Sequence, residues 1–287
     1  MSLDRLILPI SILILNIWIY YVYVVEVCIK LIADVQTLTW YLTIFHILYI
    51  MMHCCLYKTI FGPTPTVPRS FRISDELFHR LKDLESGPQI NAMLLQFCNA
   101  NELTVVTRNA DGHIRFCKKC KHVKPDRTHH CSACGQCVLK MDHHCPWLNS
   151  CIHLWNYKFF VLLLFYTSLN CIFFLATSVK YFLQFWAKSP VNYDLFHMTV
   201  GFMYVTIMSI LLTVFFIYHL TQICSNRTTI ELIQRPIFSD ANEDLTFDLG
   251  TCGNIREVMG NSCCLWFLPI DTNECNGIDY PLARGKE

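Results

Sequence analysis

Four long apolar stretches stand out in the pattern of hydrophobic and polar residues along the chain. A helix that crosses a bilayer needs about 20 mostly apolar residues, so the pattern predicts four transmembrane helices. The second stretch is the weakest because His46 and His53 interrupt it, and we expect these histidines to make polar contacts between helices. The stretches run from Leu6 to Val25, from about Leu38 to Leu56, from Phe159 to about Val179 and from about Val200 to Cys224.

A polar segment, residues 57–158, separates the second stretch from the third. It holds most of the lysines and arginines of the chain, including Lys58 and Lys158 at its two ends, whereas the short loops between spans hold Lys30 and Lys188, with Lys180 at the border of the third span. Loops rich in lysine and arginine stay on the cytosolic side of a membrane. The segment is therefore predicted to be cytosolic, and an even number of spans places both termini there too.

These patterns divide the chain into five regions. The first apolar stretch is too long for a signal peptide and has no small-residue cleavage site, which indicates a retained span. Between the spans, helical periodicity from Ile73 to Ala100 is broken at Gly87-Pro88. The regions are transmembrane helices 1 and 2 (1–58), a cytosolic linker region (59–112), a cysteine-rich domain (113–158), transmembrane helices 3 and 4 (159–224) and a cytosolic tail (225–287), the last acidic around Asp240, Glu243, Asp244 and Asp248.

Composition agrees with a membrane protein. Hydrophobic residues make up 53% of the chain and charged residues 16%, against about 25% charged in typical soluble domains. The net charge of +1 gives no reason to expect a nucleic-acid partner. The 17 cysteines include clustered Cys-x2-Cys pairs, which argue for metal thiolates in a reducing compartment rather than for disulfides.

Seven cysteines and five histidines lie between Cys117 and Cys151. Their spacing is typical of structural zinc sites, which take four ligands. Two sites of three cysteines and one histidine would use six of the seven cysteines. The remaining thiol is most economically Cys145, because Asp142 and His143 lie just upstream. A spare thiol with a base and an orienting carboxylate is a nucleophile pattern.

At these residues the chain closely resembles the cysteine-rich domain of the DHHC protein S-acyltransferases, or palmitoyltransferases. Two further family motifs are matched downstream, by Thr228-Thr229-Ile230-Glu231 and by Phe247-Asp248-Leu249-Gly250 with Asn254 and Val258. The resemblance in the domain itself is carried by Cys117-x2-Cys120, Lys124-Pro125-Asp126-Arg127, His130-Cys131-x2-Cys134-x2-Cys137, Asp142 to Trp147, and Asn156 to Phe160.

The resemblance implies a fold and two zinc sites. The fold is an all-α polytopic membrane protein with four transmembrane helices and a cytosolic zinc-binding domain of short β-hairpins between helices 2 and 3. Metal binding would supply folding free energy to a loop that is short of apolar residues. Spacing alone does not choose His130 over His129 as a ligand; the resemblance does. It assigns one zinc to Cys117, Cys120, His130 and Cys137, and the other to Cys131, Cys134, His144 and Cys151.

The resemblance also implies an activity. Cys145 would attack acyl-CoA, most simply palmitoyl-CoA, with His143 as base and Asp142 as its partner, and would pass the acyl group to cysteines of membrane-proximal proteins. Two rival interpretations are a zinc-binding membrane scaffold with weak or no activity and a zinc-based ubiquitin ligase. Neither needs the grouping of Asp142, His143 and Cys145.

Five residues are candidates for binding the acyl-CoA. Lys124, Arg127 and His129 would contact the coenzyme A phosphates, with a solvated run of charge as the alternative. Trp147 would line the mouth of the acyl pocket, a role compatible with anchoring at the membrane interface. Asn170 either forms a hydrogen bond between helices or lies near the closed end of the acyl cavity. The expected location is the Golgi or endoplasmic reticulum membrane, with the plasma membrane as an alternative.

The chain departs from the family pattern at several positions. His153 stands where glycine is usual, and we expect it to crowd the backbone there and weaken activity. Phe247 stands where tyrosine is usual, so a hydroxyl contact would be lost. Ser150 replaces a common asparagine, and Gly62-Pro63 stands near the place of the usual Asp-Pro-Gly.

Overall fold

The computed structural model describes residues 7–84, 86–188, 193–239 and 244–285. Within them lie four helices that are long and apolar enough to cross a membrane, which confirms the prediction from hydropathy. Helix α1 (Ile7–Tyr21) continues as a π-helix over Val22–Ile29. The other three are α2 (Val35–Phe61), α5 (Tyr157–Lys188) and α6 (Tyr193–Cys224).

Polar and aromatic contacts tie these helices together. His46 on α2 lies 2.9 Å from the Tyr20 hydroxyl on α1, so the expected contact between helices is confirmed there. His53 instead contacts the carbonyl of Tyr49 in its own helix, at 2.9 Å. Deeper in the bundle, the Tyr23 hydroxyl lies 2.8 Å from Oγ1 of Thr177 on α5. Val22, Phe45, Phe174 and Val205, one from each span, share a buried apolar cluster, so the spans form one packed bundle.

Two short helices precede the cysteine-rich domain. Helix α3 (Asp75–Asp83) begins at Ser74, whose hydroxyl accepts a hydrogen bond from the Leu77 amide. Helix α4 (Gly87–Ala100) begins at the predicted Gly-Pro break. Apolar residues of both helices share a core with Ile114 and Val123 of the cysteine-rich domain. The region from 59 to 112 is therefore more than a linker, because its apolar side chains are buried against that domain.

Three antiparallel hairpins form the cysteine-rich domain, as the family resemblance implied. They pair β2 (Phe116–Cys117) with β3 (His122–Val123), β4 (His129–Cys131) with β5 (Gln136–Val138), and β6 (His143–Cys145) with β7 (Ser150–Ile152).

The C-terminal tail packs against this domain. Strand β1 (Thr107–Arg108) pairs with β8 (Ile237–Phe238), and β9 (Leu245–Thr246) pairs with β10 (Ala283–Arg284). Helix α7 (Thr229–Ile233) begins with a reciprocal pair of bonds in which Thr228 and Glu231 each accept from the other's backbone amide. Helix α8 (Thr251–Met259) packs on the membrane helices. Of the acidic residues predicted in the tail, Asp240 and Glu243 lie outside the described residues.

A buried ion pair joins the tail to the cysteine-rich domain. Arg127 is 2% exposed, and its guanidinium donates to both carboxylate oxygens of Glu231 at 2.8 and 2.7 Å. It also donates to the side chain of Asn226 at 2.9 Å. The rings of Phe247 and Tyr280 lie against it, at 4.7 and 5.3 Å. With a further bond to the Asn226 carbonyl at 2.8 Å, the guanidinium makes four hydrogen bonds within the protein. Loss of either partner would leave a buried charge, which makes this pair sensitive to substitution.

Arg127→Met should lower the stability of the protein markedly. Glu231 would remain buried without its counter-charge, and removing one partner of a buried pair costs about 3–5 kcal/mol. The shift can be measured as the melting temperature of the detergent-purified protein by tryptophan fluorescence. Arg80→Met is the matched control, because Arg80 pairs with Glu76 while both side chains are exposed. Equal melting temperatures for the two variants would contradict the structural role of Arg127.

Candidate active site and metal centres

The first predicted ligand set comes together between two hairpins. The sulfur atoms of Cys117, Cys120 and Cys137 lie 3.6, 3.3 and 3.8 Å from Nδ1 of His130. His130 and Cys137 are directly paired across β4 and β5, which brings two of the ligands together by register alone. The turn between β2 and β3 places the other two ligands, Cys117 and Cys120.

The second predicted set assembles in the same way. Cys131, Cys134 and Cys151 place their sulfur atoms 3.6, 3.5 and 3.6 Å from Nδ1 of His144. His144 and Cys151 are paired across β6 and β7. Cys131 lies in β4 beside His130, so the two ligand sets are interleaved along the chain and the middle hairpin, β4 with β5, contributes to both.

The geometry of both clusters fits a tetrahedral zinc ion. Zn–S bonds of about 2.3 Å and Zn–N bonds of about 2.0 Å separate the ligand atoms by roughly 3.5–3.8 Å. In each cluster the four ligand atoms lie within 4.8 Å of one another. Cysteine and histidine donors without an open position suit a structural site. Each cluster could therefore hold one zinc ion.

Strand alternation places Cys145 beside the second cluster but not in it. Side chains of successive strand residues point to opposite faces. In β6, His144 faces the metal cluster, so His143 and Cys145 share the other face. Cys145 is not among the atoms of either cluster, which agrees with the prediction that its thiol is left over. The adjacent ligands His144 and Cys151 hold the hairpin that carries it.

Cys145 lies against the apolar ends of the membrane helices. Its side chain is 6% exposed and belongs to an apolar cluster with Tyr157, Phe160 and Val161 at the start of α5. Partly buried residues of the other three spans complete this cluster; they are Ile12 of α1, Leu56 and Ile60 of α2, and Leu212 and Phe216 of α6. The thiol therefore meets the bundle at one end, where all four spans converge.

Asp142 and His143 form the hydrogen-bonded pair that the sequence predicted. Nδ1 of His143 lies 2.6 Å from Oδ2 of Asp142, and the Cys145 thiol is a further partner of the imidazole. Burial alone would lower the pKa of His143, but the bonds to Asp142 and Cys145 outweigh it and raise that pKa to about 9. The charged imidazolium is therefore favoured, and it stabilises a thiolate next to it.

Thr229 explains how the downstream Thr-Thr-x-Glu motif contributes to the site. Its backbone amide and its hydroxyl each donate to Asp142, both at 2.9 Å. Burial alone would raise the pKa of Asp142, but the hydrogen bonds from His143 and Thr229 hold it below its ordinary value. Asp142 thus stays ionised, and Thr229 of the tail fixes its orientation. Glu231 of the same motif binds Arg127.

Sequence reasoning missed His219, which lies beside the pair. This residue of α6 is fully buried, and its ring centroid is 6.0 Å from that of His143 and 5.1 Å from that of Phe160. Its Nδ1 lies 3.1 Å from the Tyr157 hydroxyl. The available signal was a histidine near the end of an otherwise apolar span, since ionisable residues in spans usually face the bundle interior.

The three residues predicted to contact coenzyme A line one cleft. Lys124, Arg127 and His129 border a volume of about 240 Å³, with Arg108, Arg115 and Arg235 around it. The guanidinium of Arg127 is already bound to Glu231 and Asn226, so its contacts argue against a role in binding phosphate. Burial, with the positive charges of Arg115 and Lys124, lowers the pKa of His129 to about 3. His129 therefore offers hydrogen bonds rather than charge.

The two further candidates, Trp147 and Asn170, differ in exposure. Trp147 is 60% exposed, two residues after Cys145. Asn170 lies inside α5 and is 7% exposed, and neither atom of its amide has a hydrogen-bond partner in the described residues. The alternative of a hydrogen bond between helices therefore has no support in the structure.

The structure shows the surroundings of two departures from the family pattern, His153 and Phe247. His153 is 1% exposed and its backbone is not left-handed, so the usual glycine is not required by the turn. Its Nδ1 accepts from the Trp155 amide at 3.3 Å, and burial lowers its pKa to about 4, which keeps the ring neutral. Phe247 packs its ring on Arg127 and lies 5.7 Å from the ring of Tyr280, whose buried hydroxyl has no hydrogen-bond partner in the described residues.

Comparison with known proteins agrees with this site. Residues 111–236 match the family model described as DHHC palmitoyltransferase. Zebrafish palmitoyltransferase ZDHHC2 is 39% identical over 268 residues, covering 92% of this chain and 73% of the relative. Palmitoyltransferase ZDHHC15 of Xenopus laevis is 36% identical over 271 residues, covering 94% of this chain and 80% of the relative. The chain therefore belongs to the DHHC palmitoyltransferase family.

Proposed function

We propose that this protein is a protein S-acyltransferase that moves a fatty acyl group, above all palmitoyl, from acyl-CoA to protein cysteines through an acyl-Cys145 intermediate. The observation that carries the proposal is the position of Cys145. Its thiol is excluded from both metal clusters, shares a strand face with His143 and lies where four membrane helices meet.

The first half-reaction follows from the contacts of His143. The imidazole takes the thiol proton of Cys145, and its pKa of about 9 favours that transfer. The thiolate then attacks the thioester carbonyl of acyl-CoA, and the CoA sulfur leaves with the proton from the His143 imidazolium, which returns His143 to its neutral form. Asp142 stabilises the imidazolium through the 2.6 Å bond. A second thiol attacks the acyl-enzyme in the same way, with His143 again accepting its proton, and Cys145 is released.

The two clusters are proposed to hold structural zinc, with His144 and Cys151 in the second one holding the strand that carries Cys145. Bound metal would supply folding free energy to this domain. The residues of β6 and β7 then keep the nucleophile and the base in place, so positioning is the part of the chemistry that this domain performs.

The bundle offers the acyl chain an apolar environment. Burying the chain among the spans removes it from water while its thioester stays at the helix ends beside Cys145. Lys124 and His129, with Arg108, Arg115 and Arg235 along the same cleft, are proposed to receive the coenzyme A phosphates. We leave Arg127 out of this set because its guanidinium is bound to Glu231.

The partners proposed are the lipid bilayer, acyl-CoA and membrane-associated proteins with cytosolic cysteines. The cytosolic placement of both termini is supported by the lysines and arginines of residues 57–158. The Golgi or endoplasmic reticulum location rests on the family resemblance alone. No observation favours a scaffold without activity, because the hydrogen-bonded pair of Asp142 and His143 serves no metal cluster.

Cys145→Ser should abolish acylation of the protein that is sensitive to hydroxylamine, since the thiol is the nucleophile. The measurement is incorporation of an alkyne palmitoyl-CoA into purified protein, followed by hydroxylamine release. Metal analysis is the control: zinc content should stay near two per chain, one for each cluster. A loss of zinc in this variant would mean that Cys145 is a ligand and would contradict the proposal.

Cys131→Ala and His144→Ala should behave in the opposite way. Each removes a ligand, so metal content and melting temperature should both fall, because binding energy in such sites is folding energy. Activity would be lost through misfolding of the domain. A His144→Ala protein that keeps its full metal content would be inconsistent with the second site.

His143→Ala should keep its zinc but acylate slowly, since loss of a general base costs on the order of 10²–10⁴-fold. In the wild type the imidazolium persists up to a pH of about 9 and stabilises the thiolate. The variant lacks this charge, so its rate should increase as rising pH ionises the thiol directly. Single-turnover acylation between neutral and alkaline pH measures this; a flat profile would assign His143 to positioning alone.

Asn170→Phe should shift the preference toward shorter acyl-CoAs. Asn170 is thirteen residues after Tyr157, so it lies roughly 20 Å along α5, a depth close to the length of an extended palmitoyl chain. The small side chain should let the wild type accept eighteen-carbon as well as sixteen-carbon chains, since each buried methylene contributes about 0.8 kcal/mol. Acylation rates across a chain-length series measure this, and an unchanged profile would show that Asn170 does not bound the cavity.

A further inference from the structure

Four cysteines outside the metal clusters have exposed side chains. Two of them, Cys263 and Cys264, are adjacent and follow helix α8. The other two stand alone: Cys252 near the start of α8 and Cys54 within α2. The proposed reaction uses none of the four, so their environment decides what each can do.

Cys263 and Cys264 lie in a segment that is held on the membrane helices. This segment, residues 260–272, is called the tail loop below. The Tyr166 hydroxyl of α5 donates to the carbonyl of Phe267 at 2.6 Å, and Lys158 at the start of α5 donates to the carbonyl of Leu265 at 3.0 Å. The rings of Phe165 and Phe267 are 5.5 Å apart.

These contacts place the tail loop within the cytosolic half of the proposed bilayer. Tyr166 is nine residues after Tyr157, which is roughly 14 Å along the helix. The loop also exposes large apolar side chains beside the two cysteines: Phe267 is 54% exposed, Leu268 42% and Ile270 39%. An apolar surface continuous with a membrane span is expected to contact lipid rather than water.

The same loop is close to the nucleophile. Val258 of α8 belongs to the apolar cluster that contains Cys145. Cys263 is five residues further on, and five residues span no more than about 18 Å even when fully extended. The two exposed thiols therefore lie near the end of the bundle at which the acyl-enzyme forms.

We propose that Cys263 and Cys264 are S-acylation sites that receive long-chain acyl groups from Cys145 of the same chain. This inference rests on the proposed function. In the transfer, the deprotonated sulfur of Cys263 or Cys264 attacks the carbonyl carbon of acyl-Cys145 and a new C–S bond forms. The bond to the sulfur of Cys145 breaks, the Cys145 thiolate leaves, and the proton of the attacking thiol passes to His143.

The other two exposed cysteines lack this combination of features. Cys54 stands alone on α2, outside the tail loop and its contacts with α5. Cys252 lies in the first turn of α8, before the tail loop and its exposed apolar side chains. An acyl group on Cys263 or Cys264 needs no protein pocket, because it enters the lipid beside Phe267 and Leu268.

The test counts thioester-linked cysteines in the full-length protein, reconstituted as one copy per lipid nanodisc and incubated with palmitoyl-CoA. Free thiols are blocked, thioesters are cleaved with neutral hydroxylamine, and the released thiols receive a polyethylene glycol maleimide that shifts the mass on a gel. The wild type should carry up to three tags. The double variant Cys263→Ser and Cys264→Ser should carry at most one, on Cys145, and should still acylate an added cysteine-containing protein substrate.

Cys252→Ser is the matched control and should retain the wild-type tag pattern, while Cys145→Ser should carry no tags. Melting temperature and zinc content confirm that each variant is folded. Equal tag counts in the wild type and the double variant, with Cys145 acylated, would overturn this inference and leave the proposed function intact. Tags on Cys263 or Cys264 in Cys145→Ser would overturn delivery by Cys145. A wild type without any tag would contradict the proposed function itself.

Discussion

The buried pair of Arg127 and Glu231 holds together the two segments from which the site is made. Arg127 belongs to the cysteine-rich domain and Glu231 to the tail, more than a hundred positions apart in sequence. Glu231 also caps α7 by accepting from the Thr228 amide. Because the pair fixes α7, Thr229 is placed against Asp142 at 2.9 Å. A charge interaction that does not include the thiol thus helps to orient the carboxylate of Asp142, which binds His143.

Much of this arrangement could be predicted from the sequence because its signals are local. Hydropathy predicts the four spans, and Cys-x2-Cys spacing with matched histidines predicts two metal sites, both of which the structure brings together. The alternation of β6 then separates Cys145 from His144. Family resemblance was needed to choose His130 over His129, since the spacing of adjacent histidines is almost identical.

The rest depends on contacts between distant segments, which no local pattern encodes. In the sequence Arg127 is one of several cations in a charged segment, whereas in the structure it is buried and binds Glu231. His219 is a single histidine in a helix until the fold places it 6.0 Å from His143. The region before the cysteine-rich domain has weak helical periodicity, and only packing against Ile114 and Val123 gives it a core.

The site works at a boundary between two physical environments, and different parts of the chain serve each one. The metal clusters and hairpins position the polar groups, because His143 and Asp142 need fixed hydrogen bonds. The spans supply apolar surface for a chain that water excludes. Cys145 must contact both, so it is 6% exposed and packs on Phe160 while sharing a strand with His143. A nucleophile held only by a soluble domain would have no apolar surface for the acyl chain. A nucleophile within a span would have no base beside it to ionise it.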